Sequence, residues 1–138
     1  VKVFLDTSAF AKRYVAEQGS AKVLALCQQA DKLIVSVMCL PELISTLSRL
    51  VREKRLTRAG YLGLKNAAVS DLADADICQI TSEVLLLVVK LLESYRLRAM
   101  DAIHIAGALA VNADIFVSAD HGQLTAARKA GLKAIDVS

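Results

Sequence analysis

The chain is expected to fold as an α/β protein, a three-layer α/β/α sandwich built on a central, mainly parallel sheet. Three observations predict this. Short apolar or β-branched runs recur at Val1 to Leu5, Leu33 to Val37, Ile77 to Ile80, Ile115 to Val117 and Ala134 to Val137. Longer segments with helical spacing lie between them, the alternation required of a parallel sheet covered on both faces. A chain of 138 residues with 55% apolar content carries enough material for one sizeable core.

The elements follow in order. After the first strand, Ser8 to Val15 and Ser20 to Ala30 form two helices separated by Gly19, with Ser20 as the cap of the second. After the second strand, Pro41 opens a helix to about Lys54. Proline suits the first helical position, and Leu40, Leu43, Ile44, Leu47, Leu50 and Val51 fall on one stripe. Thr57 caps a helix through Ala73. Thr81 or Ser82 opens another through Tyr95, on whose apolar face stand Val84, Leu85, Val88, Leu91 and Leu92. The segment from Asp101 to Val111 is helical and rich in small residues, Ala102, Ala106, Gly107, Ala108 and Ala110, which lets it lie close against the sheet. The final helix, about Gln123 to Ala130, stops at Gly131 before the last strand.

Pro41 is the only proline, and no Ser/Gly-rich or Pro-rich stretch offers a linker, so residues 1–138 are expected to form a single domain without repeats. Cys27, Cys39 and Cys78 are odd in number, widely spaced and set among apolar neighbours. That pattern fits neither a disulfide framework nor a CxxC metal site, and points to free thiols in a reducing, cytoplasmic setting. The opening apolar run meets Asp6 too early for a signal peptide, and LLLVVKLL carries Lys90 and falls far short of a membrane span. The formal charge of +3 is too small to mark the whole chain as a nucleic-acid binder. Its distribution says more, with clusters at Arg49 to Arg58 and at Arg96 and Arg98.

Four carboxylates stand where an apolar run ends or a helix opens: Asp6 in VKVFLDTSAF, Glu42 in LPELISTL, Asp101 in LRAMDAIHIAGAL and Asp120 in IFVSADHGQL. In an open parallel sheet, ligand sites form beyond the carboxyl ends of the strands where strand order reverses. Each acid alone has a structural explanation, as a turn residue, a helix cap or a favourable charge at a helix N-terminus. Together they suggest one cleft, and Glu42 lies off the apolar stripe of its helix, free to face it. Two like charges about 4 Å apart repel by about 4 kcal/mol at an effective dielectric near 20, so such a cluster calls for a cation or a proton. Oxygen ligands without a cysteine or histidine pattern suit Mg²⁺ or Mn²⁺ rather than Zn²⁺. The chemistry this suggests is in-line attack of water on a phosphodiester.

The remaining polar residues weigh less. Ser8 and Ser118 carry hydroxyls beside the acids and can orient a carboxylate or a water. His104, flanked by Ile103 and Ile105, is expected as a hydrogen-bonded core histidine, and His121 as an exposed loop residue. Asp71, Asp74 and Asp76 in SDLADAD are expected to form a solvated connection outside the site.

At these motifs the chain resembles a PIN domain, most closely the VapC-type toxin branch. The resemblance spans nearly the whole sequence: FLDTSAF, then PEL, LRAMDAIHIAGAL, and FVSAD followed by AARKAGLKAI. A DTS tripeptide alone would be weak; the ordered set at these spacings is specific. The resemblance implies a Mg²⁺- or Mn²⁺-dependent endoribonuclease whose matching acids are Asp6, Glu42, Asp101 and Asp120. It makes Asp6 and Asp101 the principal metal ligands, with Asp120 and Glu42 completing the cluster directly or through water. It further implies products with a 5′-phosphate and a 3′-hydroxyl, a cognate antitoxin that blocks the cleft, and a homodimer. Ser118 stands where the family often has threonine, so the hydroxyl is kept.

An acidic cleft repels RNA, so basic residues must contact the phosphates. Arg96 and Arg98 are the leading candidates, with Lys12 and Arg13 after the first acid as others. With 4% aromatic residues, base stacking is scarce, which favours recognition of shape or a flexible loop. Two other readings stay open: a PIN-like module that binds RNA or protein without cutting, and a general RNA-processing nuclease. A receiver or haloacid-type phosphatase fits poorly, because no DxD follows the first strand and no lysine follows Ile115 to Ser118.

Overall fold

The first apolar run becomes β1 (Lys2–Leu5), the central strand of a five-stranded sheet in the computed structural model, which describes residues 1–138. The chain continues through α1 (Thr7–Ala11), α2 (Ser20–Gln29), β2 (Lys32–Ser36), α3 (Cys39–Arg52), α4 (Arg58–Asp74) and β3 (Asp76–Cys78). It ends with α5 (Ser82–Ser94), α6 (Ala99–Ala110), β4 (Ile115–Ser118), α7 (His121–Lys129) and β5 (Ala134–Asp136). The sheet order is β3-β2-β1-β4-β5, and every pairing is parallel. Order runs outward from β1 to β3, then resumes at β4 on the opposite side of β1. The reversal therefore falls between β1 and β4, where Leu5 pairs with Val117 and the Asp6 amide donates to the Val117 carbonyl at 3.1 Å.

Alternate residues along each strand serve opposite cores. Val3, Leu5, Val35 and Val117 pack with α1 to α4, while Phe4, Ile34 and Phe116 pack with α5 to α7. Each core contains 13 buried side chains, so both faces of the sheet are covered, as an all-parallel sheet requires. Phe4 and Phe116 stack with ring centroids 6.1 Å apart on the α6 side. Burying each ring contributes about 1.5–3 kcal/mol. The small residues of α6 do what their size suggests: Gly107 sits against Phe4, where an added Cβ would lie 3.0 Å from Phe4 Cζ.

Several boundaries differ from expectation for local reasons. Helix α3 begins at Cys39, so Pro41 is its third residue, still within the first turn where no amide is required. Helix α2 is capped by Gly19, at φ 89°, and Ser20 is its first residue; the Ser20 hydroxyl instead donates to the Val15 carbonyl. Helix α1 stops at Ala11 because the chain tightens into turns, with Lys12 and Arg13 amides bonding Ala9 and Phe10 carbonyls. The Thr57 and Thr81 caps form, through bonds from the Gly60 and Val84 amides. Asp71 and Asp74 lie in α4 and Asp76 in β3, so the SDLADAD acids are not a loop. The three cysteines are free, and burial pushes the Cys39 thiol up to about 12, which leaves it inert. No helix is long and apolar enough to cross a membrane.

Candidate active site

Asp6 is the residue that caps α1, and its capping bond fixes it at the reversal point of the sheet. Its Oδ1 accepts from the Ala9 amide at 2.9 Å and the Ser8 hydroxyl at 2.7 Å. Its Oδ2 accepts from the Ser118 hydroxyl at 2.7 Å and Gln123 Nε2 at 2.9 Å. Burial pushes the Asp6 carboxyl above its ordinary value even against these bonds, chiefly those from Ser118, Ala9 and Ser8.

Asp120 plays the same part after β4. One oxygen caps α7 by accepting from the Gln123 amide at 2.9 Å, while its own amide donates to Ser118 Oγ at 2.9 Å. Asp101 is the third residue of α6 rather than its first. Its Oδ1 accepts from Gln123 Nε2 at 3.2 Å, and Arg98 Nε lies 3.6 Å from its Oδ2. Burial raises the Asp101 carboxyl, the Asp120 charge raises it further, and Arg98 only partly offsets both. Glu42, in the first turn of α3, accepts at Oε1 from the Thr7 hydroxyl and from His104 Nε2, the latter at 2.8 Å. Burial works against its charge, yet the bonds from His104 and Thr7 outweigh it and hold the carboxyl below its ordinary value.

All four acids line a single cleft of about 270 Å³, together with Thr7, Ser8, Arg98 and Gln123. The structure therefore brings Asp6, Glu42, Asp101, Asp120 and Ser8 to one place, with Ser118 buried beneath Asp6. The acids line the cleft as an open set, and no three Asp, Glu, His or Cys side chains close on a common point. The donor set is oxygen throughout, which fits a hard divalent cation. Magnesium keeps several of its waters and takes only one or two carboxylates directly, so an open cleft with room for water suits it better than a closed cage.

The basic candidates divide. Arg98 lines the cleft and is 85% exposed. Arg96 does not line the cleft and lies in a separate hollow with Tyr95, His121 and Lys129. Lys12 and Arg13 are engaged within the fold and do not line the cleft. Lys12 is buried, its Nζ held by the Gln18 carbonyl at 2.6 Å and by Glu17 at 3.3 Å, and Arg13 is paired with Asp71 at 3.2 Å. The turns that end α1 early aim both side chains away from the acids. His121 is exposed, as expected, but as the first residue of α7.

Three participants escaped the reading of the sequence: Thr7, Gln123 and the part played by His104. His104 is buried and hydrogen-bonded as expected, but its partner is Glu42. Gln123 had a faint signal, since it stands three residues after the cap Asp120, where a capping box would turn its side chain back to the Asp120 amide. Ser118 already satisfies that amide, which releases Gln123 to bridge Asp6 and Asp101.

Positions 3–129 match the family model of the PIN domain. Two Mycobacterium tuberculosis proteins, ribonuclease VapC45 and ribonuclease VapC49, are each 30% identical over 109 residues, 79% of this chain and 76% of theirs. The crystal structure of M. tuberculosis VapC20, a toxin that cleaves the sarcin-ricin loop, has a TM-score of 0.72 at 16% identity, over 97% of this chain and 98% of that one. A toxin–antitoxin complex from Klebsiella pneumoniae gives 0.69 at 14% identity, over 99% and 98%. At these identities the solved structures speak to the fold.

Proposed function

Since the chain belongs to the PIN-domain family and groups with the VapC ribonucleases within it, we propose that residues 1–138 act as one metal-dependent endoribonuclease domain, the toxin of a toxin–antitoxin pair. The observation that carries this is the meeting of Asp6, Glu42, Asp101 and Asp120 in one cleft at the strand-order reversal. Ribonucleases of this kind generally depend on a divalent cation, and Mg²⁺ or Mn²⁺ is the reading its oxygen-only donors favour. Asp6, Asp101 and Asp120 would hold the ion, one or two of them directly and the rest through its waters, and the ion would polarise the phosphate and lower the pKa of a bound water.

The chain's own residues supply orientation. Ser8, Ser118, the Ala9 amide and Gln123 lock the Asp6 carboxylate, and Arg98 at the rim draws in the phosphate. Glu42, ionised at neutral pH, accepts a hydrogen bond from the attacking water. Attack at phosphorus with departure of the 3′-oxygen leaves a 5′-phosphate and a 3′-hydroxyl.

The partners proposed are RNA, a cognate antitoxin and a second copy of the chain, in the cytoplasm. Beside the cleft, sharing Ala11, Leu43 and Thr46 with it, lies an apolar hollow of about 180 Å³ lined by Tyr14, Leu47 and Leu64, an anchorage for an antitoxin segment that covers the acids. On the opposite layer, Leu85, Leu86 and Val89 of α5 are exposed, Leu86 at 66%, and a second copy would cover them.

The deciding experiment incubates the purified chain with labelled RNA and Mn²⁺, with and without EDTA, and repeats it with Asp6→Asn and Asp101→Asn. Cleavage that stops under each change supports the assignment. Cleavage that survives chelation or either substitution rejects it, and binding without cleavage by the unaltered chain would make it a non-cutting module instead.

A further inference from the structure

We propose that His104 is a positioning residue: through a proton on Nε2 it pins Glu42 Oε1 and so presents Glu42 Oε2 to the cleft. This deepens the nuclease reading and rests on it.

The two residues come from opposite sides of the sheet. Glu42 sits on α3, which packs into one core, and His104 on α6, which packs into the other. They meet over the carboxyl edge of the sheet, where His104 Nε2 lies 2.8 Å from Glu42 Oε1. The Thr7 hydroxyl donates to the same oxygen and lies 3.3 Å from His104 Nε2. Both donors thus load Oε1, and no protein donor reaches Oε2, which belongs to a side chain that lines the cleft and is 31% exposed.

An ionised carboxylate offers only lone pairs, so the Nε2 atom facing it must carry the hydrogen. The other ring nitrogen, Nδ1, is buried and has no partner. An imidazole kept only for packing would gain nothing by burying an unsatisfied nitrogen among apolar neighbours, where the cost is high. The whole polar capacity of this ring is directed at one carboxylate oxygen. A carboxylate held at one oxygen by two donors cannot rotate about its Cγ–Cδ bond without breaking both, so Oε2 keeps a fixed direction toward the reacting phosphate. Partners of this kind, one bond removed from the chemistry, typically change activity by about 10- to 100-fold when removed.

Two measurements test this. In the first, the full chain with ¹⁵N-labelled histidine is studied without divalent cation by long-range ¹H–¹⁵N correlation, using loss of signals in His104→Gln for assignment. A proton on His104 Nε2 whose resonance moves in Glu42→Gln supports the proposal. A proton found only on Nδ1, or an Nε2 proton indifferent to Glu42→Gln, overturns it. In the second, RNA cleavage is compared in His104→Leu, which keeps the volume, and His104→Gln, which keeps an amide donor at similar reach. The expected result is a fall in kcat of about 10- to 100-fold for His104→Leu with KM nearly unchanged, and recovery of most of it in His104→Gln. In a Glu42→Ala background, His104→Leu should cost nothing more. Equal losses in the two His104 variants, or the full additional loss in the Glu42→Ala background, overturn the positioning role. A wild-type chain that cuts no RNA would sink the nuclease reading by itself, while the resonance of Nε2 would still decide whether His104 holds Glu42.

Discussion

Gln123 Nε2 lies 2.9 Å from Asp6 Oδ2 and so places an amide donor against a fully buried carboxylate. The same nitrogen is 3.2 Å from Asp101 Oδ1, and the amide's Oε1 is buried without a partner. Ionised carboxylates accept and cannot donate, so with Asp6 and Asp101 ionised the amide is oriented with Nε2 toward them. Its hydrogens stand between two of the acids proposed to hold the cation. Gln123→Leu should therefore destabilise the cation-free protein by about 1–3 kcal/mol, because the fully buried Asp6 loses a donor it cannot replace from water. Added Mn²⁺ should raise the melting temperature of the variant by more than it raises that of the wild type. Thermal unfolding with Mn²⁺ and with EDTA checks both, and an equal response in the two proteins would show that the amide does not occupy the cation's place.

A pH dependence follows from Asp6. Burial raises its carboxyl in the folded state above the unfolded value. Below the unfolded value both states are protonated and the site costs nothing. As pH rises between the two values the unfolded chain ionises first, so stability falls, and the loss is complete above the folded value. Asp6→Asn removes the titrating group, and a flipped Gln123 can then offer its orphan Oε1 to the new amide. In EDTA the variant should melt above the wild type at pH 8, by roughly 3 °C for each kcal/mol relieved. The margin should shrink as pH is lowered through the raised value. Activity should be lost and Mn²⁺ should give no stabilisation. A variant that melts below the wild type at pH 8 in EDTA would mean that its lost acceptors matter more than the buried charge.

Salt dependence separates the basic residues. Arg98 is exposed at the cleft, whereas Lys12 and Arg13 are engaged by Gln18, Glu17 and Asp71. Each phosphate contact to a single strand contributes about 0.7 to the slope of log affinity against log salt. Arg98→Ala should reduce the slope by roughly that amount. Lys12→Ala and Arg13→Ala should leave it unchanged while lowering the melting temperature. RNA binding titrated at several salt concentrations, beside a thermal melt, would contradict this if Lys12→Ala altered the slope.

The strands and the acids at their ends were legible because both are local: an apolar run names a buried strand, and the acid that ends it also caps the next helix. Helix starts without a side-chain cap were not. Met38 and Arg98 precede α3 and α6 and make no capping bond, so nothing in the sequence marked Cys39 or Ala99 as first residues. Direction was also hidden. Lys12 and Arg13 advertise charge, but the tight turns after Ala11 that send them to Gln18 and Asp71 carry no glycine or proline to announce them. The role of Gln123 and the pairing of His104 with Glu42 were missed because the partners stand 117 and 62 residues away, and only the parallel order of the strands brings them together.

Two glycine substitutions should act in opposite directions and tie packing to the cleft. An added Cβ at Gly107 would meet Phe4 Cζ at 3.0 Å and Cys78 Sγ at 3.2 Å, a crowded site between α6 and the sheet. Gly63, within α4, has nothing within 4 Å of that position. Gly107→Ala should cost about 1–3 kcal/mol through overpacking. Gly63→Ala should gain about 0.4–1 kcal/mol by restricting the unfolded chain. The effect on cleavage should differ more than the effect on stability, because α6 carries both Asp101 and His104 and any shift forced on it by Phe4 is passed to them. Gly107→Ala should therefore lower kcat at temperatures where it is fully folded, while Gly63→Ala leaves kcat unchanged. Urea unfolding paired with single-turnover cleavage tests this, and a Gly107→Ala protein that cuts RNA at the wild-type rate would show that α6 absorbs the added methyl without moving the acids.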